Sequence, residues 1–144
     1  MNQWFMPAIG IIWTVLFSFA AANAADTDAN RKEAFTAARE IMVIIGDKQF
    51  EKLWDKKISD WFKSKSSGKQ SFVASLTMGR ANMGALKKAE IIDAGYAAQD
   101  SGYTGDIYYV NFSNEYDNAK SYERVVLIKE GQEWKVSGLF GVPQ

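Results

Sequence analysis

Apolar residues recur at helical spacing in the part of the chain that follows residue 30. The first predicted helix begins at a capping box formed by Asn30 and Glu33 and ends at the stop residue Gly46. Its apolar positions are Ala34, Phe35, Ala38, Ile41, Met42 and Ile45. A second helix is predicted after Asp47, with an apolar face formed by Phe50, Leu53, Trp54, Ile58, Trp61 and Phe62. A third helix follows the polar segment 63–70, and its face contains Phe72, Leu76, Gly79, Met83 and Leu86.

From residue 90 onwards the apolar period shortens to two, which predicts β-strands. The predicted strands are 90–97, 108–116, 122–128 and 134–140, with turns at 101–106, 114–120 and 130–132. Three N-terminal helices followed by a four-stranded antiparallel meander predict an α+β fold, with the helices packed on one face of the sheet. The sequence contains no internal repeat and no sign of a second domain.

The first 24 residues form a separate segment because they contain no Lys, Arg, Asp or Glu. The apolar stretch from Ile9 to Phe19 has the length of a signal-peptide core and is shorter than the roughly 20 residues of a membrane-spanning helix. Ala22-Asn23-Ala24 is a small-x-small cleavage signal before Ala25. We therefore expect a signal peptide at 1–24, a single domain at 25–144, and a periplasmic protein without membrane attachment after cleavage. An uncleaved N-terminal anchor is the alternative, because the extreme N-terminus lacks the usual basic residue.

Charge and composition exclude several classes of function. The 17 Lys and Arg residues are balanced by 17 Asp and Glu residues, which argues against a nucleic-acid-binding protein and against electrostatic attachment to anionic lipid. The chain has no His and no Cys, so nucleophilic triads and the usual zinc, copper and haem ligands are absent from the sequence. We therefore predict no catalytic residue, no metal site and no cofactor.

The chain resembles a bacterial exported family, domain-of-unknown-function family 4019, over residues 34–141. The segments that carry the resemblance are Gly46-Asp47-Lys48-Gln49-Phe50, Trp54, Trp61-Phe62-Lys63, Phe72, Arg80, Met83-Gly84, Gly105–Val110, Glu123–Leu127 and Glu133–Gly138. The resemblance implies a cystatin-like, nuclear-transport-factor-two-like cone of helices on a curved sheet. It implies no activity, because the family has none assigned.

Glu123 is the first candidate for a site residue, because it shares a predicted strand face with Val125 and Leu127. A buried carboxylate needs a partner or a raised pKa. Arg80, on the predicted third helix, is the candidate partner. Two interpretations stay open, namely a structural salt bridge between helix and sheet and a ligand-binding pair at the mouth of the cone.

Aromatic residues supply the other candidates. Tyr108 lies on the predicted sheet, where a pair with Asp106 or Glu123 is suited to polarising a carbonyl group, although Tyr is also a common strand residue. Trp54 and Trp61 are predicted to share one helix face, either as part of the core or as an exposed interaction patch.

The third predicted strand indicates a homodimer, because both of its faces are apolar. Val125 and Leu127 lie on one face and Val126 and Ile128 on the other. A strand buried on both faces needs a second cover, and a twin subunit is the predicted one.

The sequence therefore predicts an exported, non-catalytic domain that binds a small apolar ligand or a protein partner. The alternative is a small isomerase or lyase that uses Tyr and carboxylate residues in the cone.

Overall fold

Four helices precede four strands in residues 25–144, the part of the chain that the computed structural model describes. The helices are α1 (Asp28–Gly46), α2 (Phe50–Lys57), α3 (Asp60–Lys65) and α4 (Lys69–Arg80). The strands are β1 (Leu86–Asp100), β2 (Tyr103–Tyr116), β3 (Lys120–Glu130) and β4 (Glu133–Pro143). The predicted signal peptide and Ala24 lie outside the described residues, and Ala25 is the first residue inside them. Within 25–144, no helix has both the length and the hydropathy that a membrane crossing requires.

Helix α1 begins at Asp28, two residues before the predicted capping box. Thr27 is the N-cap, and its hydroxyl accepts the N–H of Asn30 at 3.1 Å. The prediction that Asn30 caps this helix was therefore wrong, because Thr27 supplies the same oxygen acceptor one turn earlier. The predicted apolar face is buried except for Phe35, which is half-buried, and α1 contacts all four strands of the sheet.

The predicted second helix is two helices, α2 and α3, so the described residues contain four helices instead of three. Ile58 is extended and forms a parallel bridge to Val136, where the N–H of Ser59 donates to the Val136 carbonyl at 2.9 Å. Ser59 then caps α3 by accepting the N–H of Phe62 at 3.0 Å. The apolar spacing was compatible with one helix, but the capping residue Ser59 and the bridge to β4 divide it.

Helix α4 ends at Arg80, six residues before the predicted end at Leu86. Gly84 has a φ of +80°, a left-handed conformation that a continuing helix does not allow. A Cβ at Gly84 would lie 2.6 Å from the Cβ of Asp117. The turn after α4 therefore requires glycine at this position.

The four strands form one antiparallel sheet in the order β1-β2-β3-β4, which confirms the predicted α+β fold with a four-stranded antiparallel sheet. The strands are longer than predicted, and the turn predicted at 101–106 is reduced to Ser101 and Gly102. Strands β1 and β4 are the two edges of the sheet. A register shift between Val126 and Leu127 interrupts the pairing of β3 with β4.

Apolar residues cover both faces of the sheet. On the inner face, the main cluster joins α1 and α2 to residues such as Tyr108, Val125 and Leu127. On the outer face, Ile107, Val126 and Ile128 are buried beneath Trp61, Ala97, Tyr103 and Tyr109. Both faces of β3 are thus apolar and buried, as predicted, and part of the second cover comes from α3 and neighbouring strands of the same chain. The burial of β3 therefore does not by itself require a twin subunit.

Candidate functional site

Glu123 is buried on the inner face of β3. The alternation of the strand places Ser121, Glu123 and Val125 on the same side, and all three are buried. A carboxylate in this position loses its hydration, so its stability depends on the donors that surround it.

Arg80 supplies the charge that balances Glu123. Helix α4 carries the guanidinium over the sheet, where it forms an ion pair with Oε1 of Glu123. The same guanidinium donates to the Tyr116 hydroxyl at 2.6 Å. The side chains of Arg80 and Glu123 are only 15% and 4% exposed. The predicted contact between helix and sheet is therefore present, as a closed and largely desolvated pair.

The second oxygen of Glu123 accepts three further hydrogen bonds. Tyr116 donates its hydroxyl to Oε2 at 2.6 Å, Ser121 donates at 3.1 Å, and the side-chain amide of Asn114 donates as well. The Asn114 amide nitrogen also lies 3.2 Å from the sulfur of Met42, and its buried oxygen has no partner among the described residues. An unmet buried acceptor costs about 1–3 kcal/mol. The Asn114 amide thus donates to the Glu123 carboxylate although its own oxygen is left without a partner among the described residues.

The protonation of the cluster follows from these contacts. Burial alone raises the pKa of Glu123, but the hydrogen bond and the charge of Arg80, with donors from Tyr116 and Asn114, hold that pKa below its ordinary value. Burial also opposes the charge of Arg80, yet Glu123 keeps the pKa of the guanidinium above its ordinary value. Burial and the bond to Glu123 raise the pKa of Tyr116 to about 12. All three groups therefore have fixed protonation states at neutral pH.

A half-open cavity of about 360 Å³ lies beside this pair, between α4, the first residues of β3 and the last residues of β4. Its lining is predominantly apolar, and the apolar residues in it are Leu76, Met83, Ala119, Leu139, Phe140, Val142 and Pro143. The charged residues in the lining are Arg80, Lys120 and Glu123. Gly79 and Gly141 contribute no side chain to the lining, which keeps the space open. We call this space the α4–β4 cavity.

Tyr108 lies outside the α4–β4 cavity. Its ring is fully buried, and its hydroxyl donates to Asp26 at 2.7 Å, while Asp106 accepts from Tyr96 at 2.7 Å. The predicted pairing of Tyr108 with Asp106 or Glu123 was wrong, because Asp26 in the segment before α1 takes the phenol. Burial, followed by the bond to Asp26, raises the pKa of Tyr108.

Trp54 and Trp61 do not join the cavity either. Trp54 packs against Phe72 at a ring distance of 5.2 Å and connects α2 to α4. Trp61 lies on α3, where it packs against Tyr103 at 5.9 Å and covers the outer face of the sheet. The break at Ile58 and Ser59 separates the two rings, so they form no shared platform.

Three residues of the Glu123 cluster were not predicted as site residues, namely Asn114, Tyr116 and Ser121. Asn114 was assigned to the predicted turn 114–120, which overlapped the end of the second predicted strand, although its position two residues after Phe112 keeps the alternation. Ser121 stands two residues before Glu123 on the same face of β3. Continuing the period of two through polar residues would have found both.

Within residues 25–144, no group of three or more acidic side chains is placed to hold a metal ion. The chemistry that the cavity offers is an apolar surface beside a neutralised ion pair, with Lys120 as a further charged residue of its lining.

Comparisons with known proteins connect this arrangement to one family. No curated protein and no solved structure is significantly similar to the chain. A family described as a protein of unknown function (DUF4019) matches residues 37–139, a range that includes Arg80, Glu123 and most of the cavity. Because this match covers most of the sequence and confirms the resemblance, the chain belongs to the DUF4019 family.

Proposed function

We propose that this protein is an exported, non-catalytic domain that binds a small apolar ligand, or an apolar group of a protein partner, in the α4–β4 cavity. The observation that carries the proposal is the state of Glu123. Both of its oxygens are occupied by Arg80, Asn114, Tyr116 and Ser121, so the carboxylate is not available as an acid or base, whereas the apolar space beside it is open.

The size and lining of the cavity support a binding role. Its volume of about 360 Å³ lies in the range of small-molecule sites, which are mostly apolar with a few polar groups that set orientation. The cystatin-like cone that the resemblance implies belongs to this proposal, because such a cone holds its cavity between the helices and the concave sheet.

The alternative, an isomerase or lyase, has less support from the geometry. It requires a Tyr and a carboxylate that reach the same open space. Tyr108 and Asp26 bind each other away from the cavity, and Tyr116 and Glu123 are bound within their own cluster. Both of these carboxylate–phenol pairs are thus hydrogen-bonded within the protein.

Homodimerisation remains a proposal on a new basis. Ile92, Tyr122, Phe140 and Val142 are exposed and lie around one part of the outer sheet face. Exposed apolar side chains gathered in one part of a surface mark protein interaction sites in other proteins. A second copy packed face to face would cover it, beyond the region that Trp61 already covers.

Native mass spectrometry of the protein, purified from the exported fraction of its host, tests these proposals together. We expect the mass of residues 25–144, an additional small-molecule mass that survives mild ionisation, and a dimeric stoichiometry. A mass that includes residues 1–24 would contradict processed export. A clean mass without an adduct would contradict a tightly held small ligand, and a monomer at micromolar concentration would contradict the dimer.

Filling the cavity is expected to abolish ligand binding. A Cβ at Gly79 meets no other atom within 4 Å, so Gly79→Phe places a ring in the open space. We expect binding of the apolar probe anilinonaphthalene sulfonate, measured by fluorescence titration, to fall at least tenfold.

Gly79→Ala is the matched control: it leaves the space open and stabilises the last turn of α4 by about 0.5 kcal/mol. Ala74→Phe adds the same ring at an exposed position outside the cavity lining. Equal probe binding by Gly79→Phe and Ala74→Phe would contradict the proposed site.

A further inference from the structure

We propose that the occupant of the α4–β4 cavity is an extended peptide segment of a protein partner, which adds to the free edge of β4 as a fifth strand. This inference rests on the proposed function and names its ligand class. It is carried by the direction of the β4 backbone groups, the position of the cavity beside them and the charge in its lining.

The backbone direction follows from two hydrogen bonds. The Val136 carbonyl accepts from Ser59, which lies outside the sheet, so the backbone N–H and C=O groups of Val136 point away from β3. The N–H of Gln144 donates to the Lys120 carbonyl at 3.0 Å, so Gln144 points toward β3. Because this direction alternates along an antiparallel strand, Val142 and Phe140 also point toward β3. Leu139 and Gly141 therefore direct their N–H and C=O groups outward.

The register shift makes the two observations consistent. Val136 pairs with Leu127 and Gly138 with Val126, so one extra residue of β4 lies between these pairs. Because of this insertion, the β4 residues whose backbone groups point outward are even-numbered before the shift and odd-numbered after it. On the N-terminal side of the shift, Ser59 covers the edge of β4. On the C-terminal side, no residue of 25–144 bonds to the outward groups of Leu139 or Gly141.

The exposed edge and the cavity share residues. Leu139 and Gly141 lie in the cavity lining, and a Cβ at Gly141 would be 3.6 Å from Cγ of Glu123, on the inner face. A strand paired with this edge directs alternate side chains toward the inner face. One apolar side chain of the peptide would thus enter the cavity, while its backbone bonds to Leu139 and Gly141.

The charge of the lining favours a peptide with an acidic residue. Arg80 and Glu123 neutralise each other. Lys120 also lines the cavity, and within 25–144 no acidic group forms an ion pair with it. The unbalanced charge at the site is therefore positive. The partner segment that fits is extended, with an apolar residue facing the cavity and an acidic residue near Lys120.

The test uses a random heptapeptide library displayed on phage, selected against the protein purified from the exported fraction of its host. We expect enriched peptides with an apolar and an acidic residue. Binding of a synthetic selected peptide, measured by fluorescence anisotropy, should be at least tenfold weaker for Gly141→Pro than for Gly141→Ala. Proline removes the outward N–H and is tolerated at an edge position, as at Pro143, while alanine keeps the N–H.

A second measurement does not depend on the folding of a variant. Two versions of the peptide are compared, one N-methylated at its odd positions and the other at its even positions. One version should lose its binding to the unaltered protein, and the other should bind as before. Equal binding of the peptide by Gly141→Pro and Gly141→Ala, or no enrichment from the library, would overturn the inference. So would a dimer of the unaltered protein that Gly141→Pro dissociates, because a second copy would then occupy the edge.

Failure of this inference is distinguishable from failure of the proposed function. If peptides do not bind but Gly79→Phe still abolishes the binding of anilinonaphthalene sulfonate, the cavity is a small-molecule site and only the peptide assignment fails. If Gly79→Phe retains the probe, the proposed function itself fails.

Discussion

Replacing Arg80 with Met is expected to lower the free energy of unfolding by about 3–5 kcal/mol at neutral pH, because it leaves the carboxylate of Glu123 buried without a counter-charge. The remaining donors from Asn114, Tyr116 and Ser121 are neutral and do not replace the charge of the guanidinium. Urea unfolding monitored by Trp fluorescence measures the loss. Lys69→Met is the matched control on the same helix, because the ion pair of Lys69 with Asp55 is 40% and 51% exposed. Its expected cost is less than about 1 kcal/mol.

The pH dependence gives this prediction an internal check. In the unaltered protein the pKa of Glu123 is below its ordinary 4.5, so the pair contributes stability above that pH and loses it as the pH falls through the lowered pKa. Without Arg80, burial dominates and raises the pKa of Glu123. The variant therefore regains stability when the carboxylate is protonated, and its deficit should shrink toward pH 4. A deficit that matches Lys69→Met, or one that grows on acidification, would show that the pair is not a desolvated ion pair.

Replacing Gly84 with Ala is expected to destabilise the protein by about 3 kcal/mol. The left-handed conformation costs a residue with a Cβ about 1–2 kcal/mol, and the contact with Asp117 at 2.6 Å adds overpacking of similar size. The turn cannot move freely, since the N–H of Ala85 donates to the Asp117 carboxylate at 2.9 Å and the N–H of Asn118 to the Met83 carbonyl at 2.9 Å. Thermal or urea unfolding measures the effect.

Gly102→Ala separates the two contributions to this cost. Gly102 has nearly the same φ, +84°, but a Cβ there meets nothing within 4 Å. It should therefore cost only the conformational part, about 1–2 kcal/mol. If both substitutions cost the same, the contact with Asp117 has no energetic weight.

The sheet was more predictable than the helices. Alternating apolar residues define β2, which buries one face over most of its length, and a continuous apolar run defines the centre of β3, which is buried on both faces. The ends of β1 were missed because this edge strand is mostly exposed and shows no alternation there. The break between α2 and α3 was missed because Ile58 fits the apolar period of a helix, although its backbone is extended. Local pattern does not contain the pairing of Ile58 with Val136, which lies far along the chain.

For the site, the sequence predicted the pair but not its surroundings. A carboxylate in an apolar strand face requires a counter-charge, and this requirement identified Arg80. The cavity, in contrast, depends on the gap between α4 and β4, which no residue pattern encodes. Tyr108 was correctly placed on the sheet, but its partner Asp26 comes from the segment before α1, where no residue pattern predicts a contact with the sheet.

Helix α3 is a six-residue element whose start depends on the far end of the chain. The carboxylate of Glu130 accepts the N–H groups of Asp60 at 2.9 Å and Trp61 at 3.3 Å, across about 70 residues of sequence. A helix this short is unstable alone, and closing so long a loop is entropically costly. We therefore expect α3 to become stable only once β3 and β4 are in place. On this expectation, the outer cover by Trp61 assembles after the β3–β4 hairpin.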